Sequence, residues 1–322
     1  MEVSVTADVF PLTEIFTIAR GSRTEARVLT VRVAEGGAEG WGECVPYARY
    51  GETLETVTAQ IEGLPEAFDR HALQGLLPPG AARNAVDCAL WDLEAKRTQT
   101  PVWKLAAVTR PKPEVTAYTL SLAPPDAMRA QAAKNAFRPL LKTKLGGGEE
   151  DVARIEAVRE GAPGARIIVD ANEGWTPDLY THLAPFLVRL GVEMVEQPLP
   201  AGEDEALADL DRVLPVCADE SVHDRDSLPS LRGKYDMVNV KLDKAGGLTE
   251  ALALRAAARE AGFQIMTGCM VGSSLAMAPA VLVAQGAAVV DLDGPLLLAQ
   301  DRAVPLTFDD AGVHPAEPAL WG

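Results

Sequence analysis

Short apolar runs alternate with helical patterns along the last two thirds of the chain. The runs VTAYTL, LLKTK, RIIVD, EMVE, VCAD, MVNVK, QIMTG and AVVD finish near Thr119, Lys144, Asp170, Glu196, Asp219, Lys241, Gly268 and Asp291. Successive ends lie 22 to 27 residues apart, about the length of one strand, one helix and two short loops. Parallel strands buried on both faces read as apolar runs of this kind. Eight ends at that pitch, with seven helical patterns between them, predict a (β/α)8-type barrel. Helix boundaries agree, since Thr176-Pro177 is an N-cap with Pro in the first turn and Gly262 closes the run from Thr249.

The first third is patterned differently. Val3 to Val9, Arg27 to Val33 and Glu39 to Val45 read as strands, the last two joined as a hairpin through Glu35-Gly36-Gly37. Helical patterns cover 53–68 and 81–96, the second with Ala82, Ala85, Val86, Leu90, Leu93 and Ala95 mostly at helical spacing. Strands followed by helices predict an α+β domain over 1–106, ahead of a barrel domain over 107–299, with residues 300–322 packing back toward the first domain.

Composition narrows the function. The 322 residues are 48% hydrophobic and 24% charged, which describes a globular chain. A formal charge of −16 repels phosphate backbones and argues against a nucleic-acid partner. Cys44, Cys88, Cys217 and Cys269 are widely spaced and only four histidines exist, so neither a disulfide framework nor a zinc cluster is readable and a reducing cytoplasm is expected. Glu2 stands where a signal peptide wants positive charge, and Pro279, Gln285 and Gly286 break the apolar stretch from Leu275 to Val290, so no export or membrane segment is expected.

Six of the eight strand ends carry an ionisable residue, in the order Lys144, Asp170, Glu196, Asp219, Lys241, Asp291. A barrel gathers its catalytic groups at that face. Asp170, Glu196 and Asp219 come from consecutive strands and form one arc, and three close carboxylates need a counter-charge; Mg2+ is the expected ion. Any one of these acids alone reads better as a cap or turn residue, and their shared register reverses that. Lys142 and Lys144 alternate along one strand and face the same side, while Lys241 stands across the barrel. Lysines on opposite sides of a metal arc suit proton transfer at either face of one carbon, given neighbouring cations to lower the pKa of the base. Lys244 reads as a solvated surface lysine.

The set Lys142-Thr143-Lys144, Asp170-Ala171-Asn172, Glu196-Gln197-Pro198, Ala218-Asp219-Glu220-Ser221 and Lys241 to Gly247 (KLDKAGG) resembles the enolase superfamily, in its muconate lactonizing enzyme subgroup. That resemblance spans the chain. It implies a modified (β/α)7β TIM-type barrel under an N-terminal α+β capping domain, and Mg2+-assisted chemistry through an enediolate. Asp291-Leu292-Asp293-Gly294-Pro295 is similar to the Asp-x-Asp motif of dipeptide epimerases, where the acids receive a free α-ammonium group; alternate residues facing one way would make Asp291 and Asp293 a two-pronged acceptor. Phe16 to Arg27 (FTIARGSRTEAR) is similar to the mobile capping loop of L-Ala-D/L-Glu epimerases, which gives an Arg to the distal carboxylate, and both Arg20 and Arg23 are candidates.

By this resemblance the chain is an isomerase that interconverts L-Ala-D-Glu and L-Ala-L-Glu in the recycling of cell-wall peptide, with one Mg2+ per subunit on Asp170, Glu196 and Asp219. Lys144 serves the (R)-substrate and Lys241 the (S)-substrate, while Lys142 stabilises the enediolate and depresses its neighbour's pKa. Thr119, Cys269 and Met270 line the pocket. Alternatives are another dipeptide specificity, a lactonizing enzyme, an N-acylamino-acid racemase or o-succinylbenzoate synthase of the same subgroup, and a catalytically silent ligand-binding barrel. The partner is a small dipeptide, and a homo-oligomer stays open.

Overall fold

The computed structural model describes residues 1–322. Its first feature is a long antiparallel ribbon. Strand β1 (Glu2–Ile18) pairs with β2 (Gly21–Glu35) from Glu2↔Ala34 to Ile18↔Gly21, with an irregularity between Pro11 and Phe16, and β2 pairs with β3 (Ala38–Cys44). Gly36 and Gly37 have φ of 61° and 83°, the paired positive values that a two-residue hairpin turn demands. Strand β1 runs well beyond the expected Val3 to Val9, and Phe16 to Arg27 is the far end of this ribbon rather than a loop. Polar residues such as Thr13, Glu14 and Ser22 hide the pairing from an apolar pattern. The tip is fixed to the barrel because Thr17 N–H donates to Ser121 Oγ (2.6 Å) and Leu122 N–H donates to Thr17 O (2.9 Å).

Helices α1 (Leu54–Glu62), α2 (Arg70–Leu76) and α3 (Ala81–Thr98) follow. The helix expected over 53–68 stops at Glu62, where Gly63 and Pro65 interrupt it. Helix α3 lies directly on β3 through two glycines. A Cβ on Gly40 or Gly42 would stand 2.0 Å from Ala89 O or 2.1 Å from Ala85 O, so only a bare backbone fits.

Eight parallel strands then form the barrel: β4 (Tyr118–Leu120), β5 (Leu140–Lys144), β6 (Arg166–Asp170), β7 (Val192–Glu196), β8 (Val216–Ala218), β9 (Met237–Val240), β10 (Gln264–Gly268) and β11 (Val289–Asp291). The expected strand ends are found. Two connections depart from strict alternation: a 3-10 turn at Glu205–Ala208 links β7 to β8, and only short helical turns at Arg225–Ser227 and Leu228–Leu231 link β8 to β9. Between β11 and β4 the barrel closes through Ala117 N–H donating to Val290 O (2.8 Å) and Leu292 N–H donating to Thr116 Oγ1 (2.8 Å). No helix is long and apolar enough to cross a membrane; the stretch from Leu275 is instead the buried barrel helix Ser274–Ala284.

Period-two alternation builds the interior in layers. Ala117, Leu140, Ile168, Met194, Cys217, Met237, Met266 and Val289 form one buried apolar cluster, one residue from each strand or its entry, and this is the floor. Two residues further along come Thr119, Lys142, Asp170, Glu196, Asp219, Asn239, Gly268 and Asp291. Lys144 and Lys241 stand two residues further still.

The capping elements bind the barrel through buried polar contacts. Arg83 of α3 donates to Ala245 O (2.7 Å) and Gly246 O (3.1 Å), and Asp243 accepts from Val45 N–H (3.0 Å) and Asn84 Nδ2 (2.9 Å). At the C-terminus, Trp321 Nε1 donates to Cys88 O (3.0 Å) and Gly322 N–H to Asp92 Oδ1 (2.8 Å). Burial pushes the Asp243 carboxyl up to about 7, against the lowering effect of those two donors. An unfolded aspartate ionises near 3.8. Between that pH and about 7 the folded protein therefore holds the extra proton, and stability falls as pH rises. Asp243→Asn keeps an acceptor oxygen without the charge. Urea denaturation should find it more stable than wild type at pH 8 by about 1–3 kcal/mol, with the advantage vanishing toward pH 4.

Candidate active site

A cleft open to solvent at its mouth lies between the ribbon tip and the C-terminal ends of the barrel strands. Its lining includes Lys144 and Lys241 from the barrel, Arg20 and Arg23 from the ribbon, and Tyr47 and Tyr50 from the loop after β3. Asp219, Glu220, Asn172, Cys269 and Met270 line it as well, so both expected lysines share one cavity.

Beneath the cleft the charges are buried and paired. Lys144 Nζ donates to Asp170 Oδ2 (2.5 Å), Lys241 Nζ to Asp219 Oδ2 (2.7 Å) and Lys142 Nζ to Asp291 Oδ2 (2.7 Å). Lys142 also stands 2.6 Å from Glu196 Oε2, outside hydrogen-bonding alignment, and 3.3 Å from Asp170 Oδ2. The other Glu196 oxygen accepts from Asn239 Nδ2 (2.7 Å). Lys244 corrects the expectation of a solvated lysine: it is 2% exposed and donates to Asp219 Oδ1 (2.6 Å) and Asp219 O. It sits in the first turn beyond Lys241, whose chain direction returns it toward β8.

These pairings set the titrations. Burial would raise Asp170, but Lys144 and Lys142 hold it at about 2. Burial pushes Glu196 up to about 7, Asp170 adding to the rise. For Lys241 burial lowers the pKa, yet Asp219 and Glu196 more than reverse this and leave it well above the ordinary value. The nearest charge to Lys241 is the Asp219 carboxylate, which favours the ammonium form.

No three His, Cys, Asp or Glu side chains converge as a metal-binding group while the lysines hold them. The donor chemistry nevertheless fits a hard cation. Asp170, Glu196 and Asp219 are fully buried oxygen donors on adjacent strands, with Lys144↔Asp170 and Asp170↔Glu196 in register, and Glu196 Oε2 lacks an aligned hydrogen bond. Buried Asp170, Glu196, Asp219, Glu220, Asp291 and Asp293 also outnumber the buried lysines 142, 144, 241 and 244.

Asp291 and Asp293 do not line the cleft and do not form a simple strand pair. Strand β11 ends at Asp291, and Asp293 (φ −92°, ψ 1°) starts the short helix Gly294–Leu297. Both are buried, and Asp293 Oδ2 accepts from Thr119 N–H (2.6 Å). Burial and the charge of Asp291 push Asp293 up to about 6. Asp291 Oδ1 has no partner. Thr119 itself faces a neighbouring cavity with Phe16, Tyr118 and Asn135.

The two arginines are not equivalent. Arg20 is consumed: it donates to Glu220 Oε1 (2.7 Å), Glu173 Oε2 (3.1 Å), Asn172 O (2.9 Å) and Tyr47 OH (3.1 Å). Arg23 makes no ion pair and lies 5.2 Å above the Tyr47 ring. Glu173 also takes Arg49 through Nε (2.9 Å) and Nη2 (2.8 Å), so one carboxylate holds both capping segments. Asn172 and Glu173 have φ of 45° and 68°, a left-handed bend that turns Glu173 up from the end of β6. Sequence reasoning missed Glu173, Glu220, Tyr47, Tyr50 and Arg49; the aromatic pair in PYARY after a strand was the available signal.

Comparison with known proteins agrees with this architecture. Residues 1–106 match the mandelate racemase / muconate lactonizing enzyme N-terminal domain, and 126–313 match the enolase C-terminal domain-like family. The chain belongs to the enolase superfamily. It is 46% identical to the L-Ala-D/L-Glu epimerase of Escherichia coli (strain K12) over 97% of this chain and 99% of that one. An N-acetyl-D-glutamate racemase from a Pseudoalteromonas species is also 46% identical, over 92% and 95% of the two chains. Among solved structures, an enolase family member from Agrobacterium tumefaciens with homology to dipeptide epimerases, with bound sodium and L-Ala-L-Glu and an ordered loop, superposes with a TM-score of 0.97 at 52% identity over 99% of each chain. A Methylococcus capsulatus dipeptide epimerase complexed with Mg and L-Arg-D-Lys gives 0.90 at 29% identity over 98% and 97%. Like these epimerases and racemases, this superfamily member is an isomerase.

The shared anchor at Glu173 has a measurable consequence. In Glu173→Ala, hydrogen exchange should accelerate in residues 19–23 and 48–51 together, by about tenfold or more, the worth of one charge-assisted hydrogen bond. Arg49→Ala should loosen only the second segment.

Proposed function

We propose that this enzyme is a Mg2+-dependent dipeptide epimerase that interconverts L-Ala-D-Glu and L-Ala-L-Glu in peptide recycling inside the cell. The observation carrying the reading is the pair Lys144 and Lys241 on opposite sides of one cleft, above buried carboxylates and below a free arginine. Asp170, Glu196 and Asp219 would hold Mg2+, which as a Lewis acid acidifies the α-proton of a carboxylate substrate. With those carboxylates drawn to a cation, Lys144 and Lys241 lose the partners that keep them protonated, and either becomes a usable base. Lys144 takes the α-proton of the (R)-substrate and Lys241 returns one to the opposite face; the reverse direction exchanges their roles. Lys142, beside Glu196, offsets charge developing on the enediolate oxygens. Asp291 Oδ1 and Asp293 receive the α-ammonium group, and Arg23, unlike the committed Arg20, reads the distal carboxylate. Cys269, Met270 and the tyrosines bound the side-chain end.

The equal similarity to an N-acetyl-D-glutamate racemase supports a second reading, in which an N-acyl group replaces the ammonium. The buried acids at 291 and 293 favour the dipeptide, since they would be left unpaired by an amide.

The lysines should be separable by stereochemistry. In deuterated water Lys144→Ala should not epimerise yet should still exchange the α-proton of the (S)-substrate, and Lys241→Ala should do the same for the (R)-substrate; near wild-type epimerisation by either variant would exclude two bases. The two ends of the substrate are checked by kcat/KM. Arg23→Ala should lose about 10- to 100-fold on L-Ala-L-Glu while sparing L-Ala-L-Leu, whereas Arg20→Ala should impair both alike by releasing the ribbon. Wild type should prefer L-Ala-L-Glu to N-acetyl-L-Glu, and the opposite order would establish the second reading.

A further inference from the structure

Lys142 is 1% exposed, and its ammonium group is shared by Glu196 (2.6 Å), Asp291 (2.7 Å) and Asp170 (3.3 Å). On the reading proposed above, Asp170 and Glu196 must turn their oxygens to a divalent cation, and this inference rests on that reading. An ammonium group cannot stay on the same oxygens, because two positive charges at contact distance repel strongly in a water-poor interior. Nor can Lys142 leave for water, so it must remain beside an anion. Glu196 Oε1 is already fixed by Asn239, which leaves Oε2 as the atom in contention. Among the three carboxylates that touch Lys142, Asp291 alone lies outside the cation's set.

We infer that Asp291 is a positioning residue for metal loading: it receives Lys142 when Asp170 and Glu196 are given over to the cation. Its two oxygens divide the labour. Oδ2 already holds Lys142 at 2.7 Å, and Oδ1, buried and unpartnered, stays available to the substrate ammonium. One side chain thus connects the two ends of the site, and the network is pre-formed because the Lys142–Asp291 bond needs only to persist while the contacts to Glu196 and Asp170 are given up.

Calorimetric titration of Mg2+ alone into chelator-treated, full-length protein tests this without any turnover. Asp291→Asn should weaken Mg2+ binding by about 10- to 100-fold, the range seen when a partner behind a metal ligand is removed. Asp293→Asn removes the adjacent buried carboxylate, which makes no ion pair with Lys142, and should weaken Mg2+ binding by clearly less than Asp291→Asn does. Lys142→Met removes the competitor, so it should bind Mg2+ at least as tightly as wild type, a result that stands even if Asp291→Asn fails to fold. Adding Asp291→Asn to Lys142→Met should then have little further effect. The proposal is overturned if Asp291→Asn binds as wild type does, if Lys142→Met binds more weakly, or if the Asp291 effect is the same size with and without Lys142, which would make Asp291 merely a distant negative charge. Wild type that binds no Mg2+ would overturn the metal reading and this inference with it.

Discussion

A layer of ionised side chains enclosed in a barrel must balance its own charge, and most of this structure follows from that requirement. The apolar floor from Ala117 to Val289 denies water from below. Carboxylates at Asp170, Glu196 and Asp219 can therefore stay ionised only through neighbours in their own layer or the one above. Lysines 142, 144, 241 and 244 supply that charge from β5 and from β9 with its following turn. The layer still carries more acid than base, and burial together with neighbouring carboxylates pushes Glu196 up to about 7 and Asp293 up to about 6. A site short of positive charge is suited to receiving it.

The rest of the chain holds this layer still and roofs it. Gln197, forced to a φ of 35°, accepts from Asp219 N–H (2.8 Å) and donates to Leu199 O, Ser221 and Tyr235, so the ends of β7 and β8 are tied together. Gly268 has the opposite duty: a Cβ there would stand 2.7 Å from the Asn239 amide that orients Glu196. Above, the ribbon and the loop after β3 meet on Glu173. The roof is thus held by ion pairs at the rim and founded on the barrel through the buried bonds of Arg83 and Asp243, while the close glycine contact of α3 with β3 holds the roof itself together.

Much of this was legible in the sequence because strand ends and charged residues coincide. The eight barrel strands follow from apolar runs at regular pitch, and the ionisable residue closing six of them marks the functional face. What escaped was set by contacts between distant segments. Lys244 looks like a surface lysine until the turn after Lys241 carries it back onto Asp219. Glu173 is an ordinary loop acid until Arg20 and Arg49 arrive from 124 to 153 residues away. The full length of the ribbon does not show in the pattern because its outer strand is an edge, where exposed polar residues dilute the alternation. Between Arg20 and Arg23, spacing offered no choice, whereas the ion pairs of Arg20 separate them at once.

Barrel closure has an evolutionary side. The seam between β11 and β4 is narrow, and Asp293 is sewn into it through Thr119, one residue beyond Leu292, which bonds Thr116. The buried acids beneath the cleft at 291 and 293 are therefore part of the frame, while Arg20 and Arg23 hang from a hairpin tip that the barrel does not need in order to close. Mutational drift can rewrite the hairpin end without disturbing the seam. New preferences for the side chain of a substrate should arise readily within such a scaffold, and new preferences for its amino end only alongside compensating changes in the first and last strands.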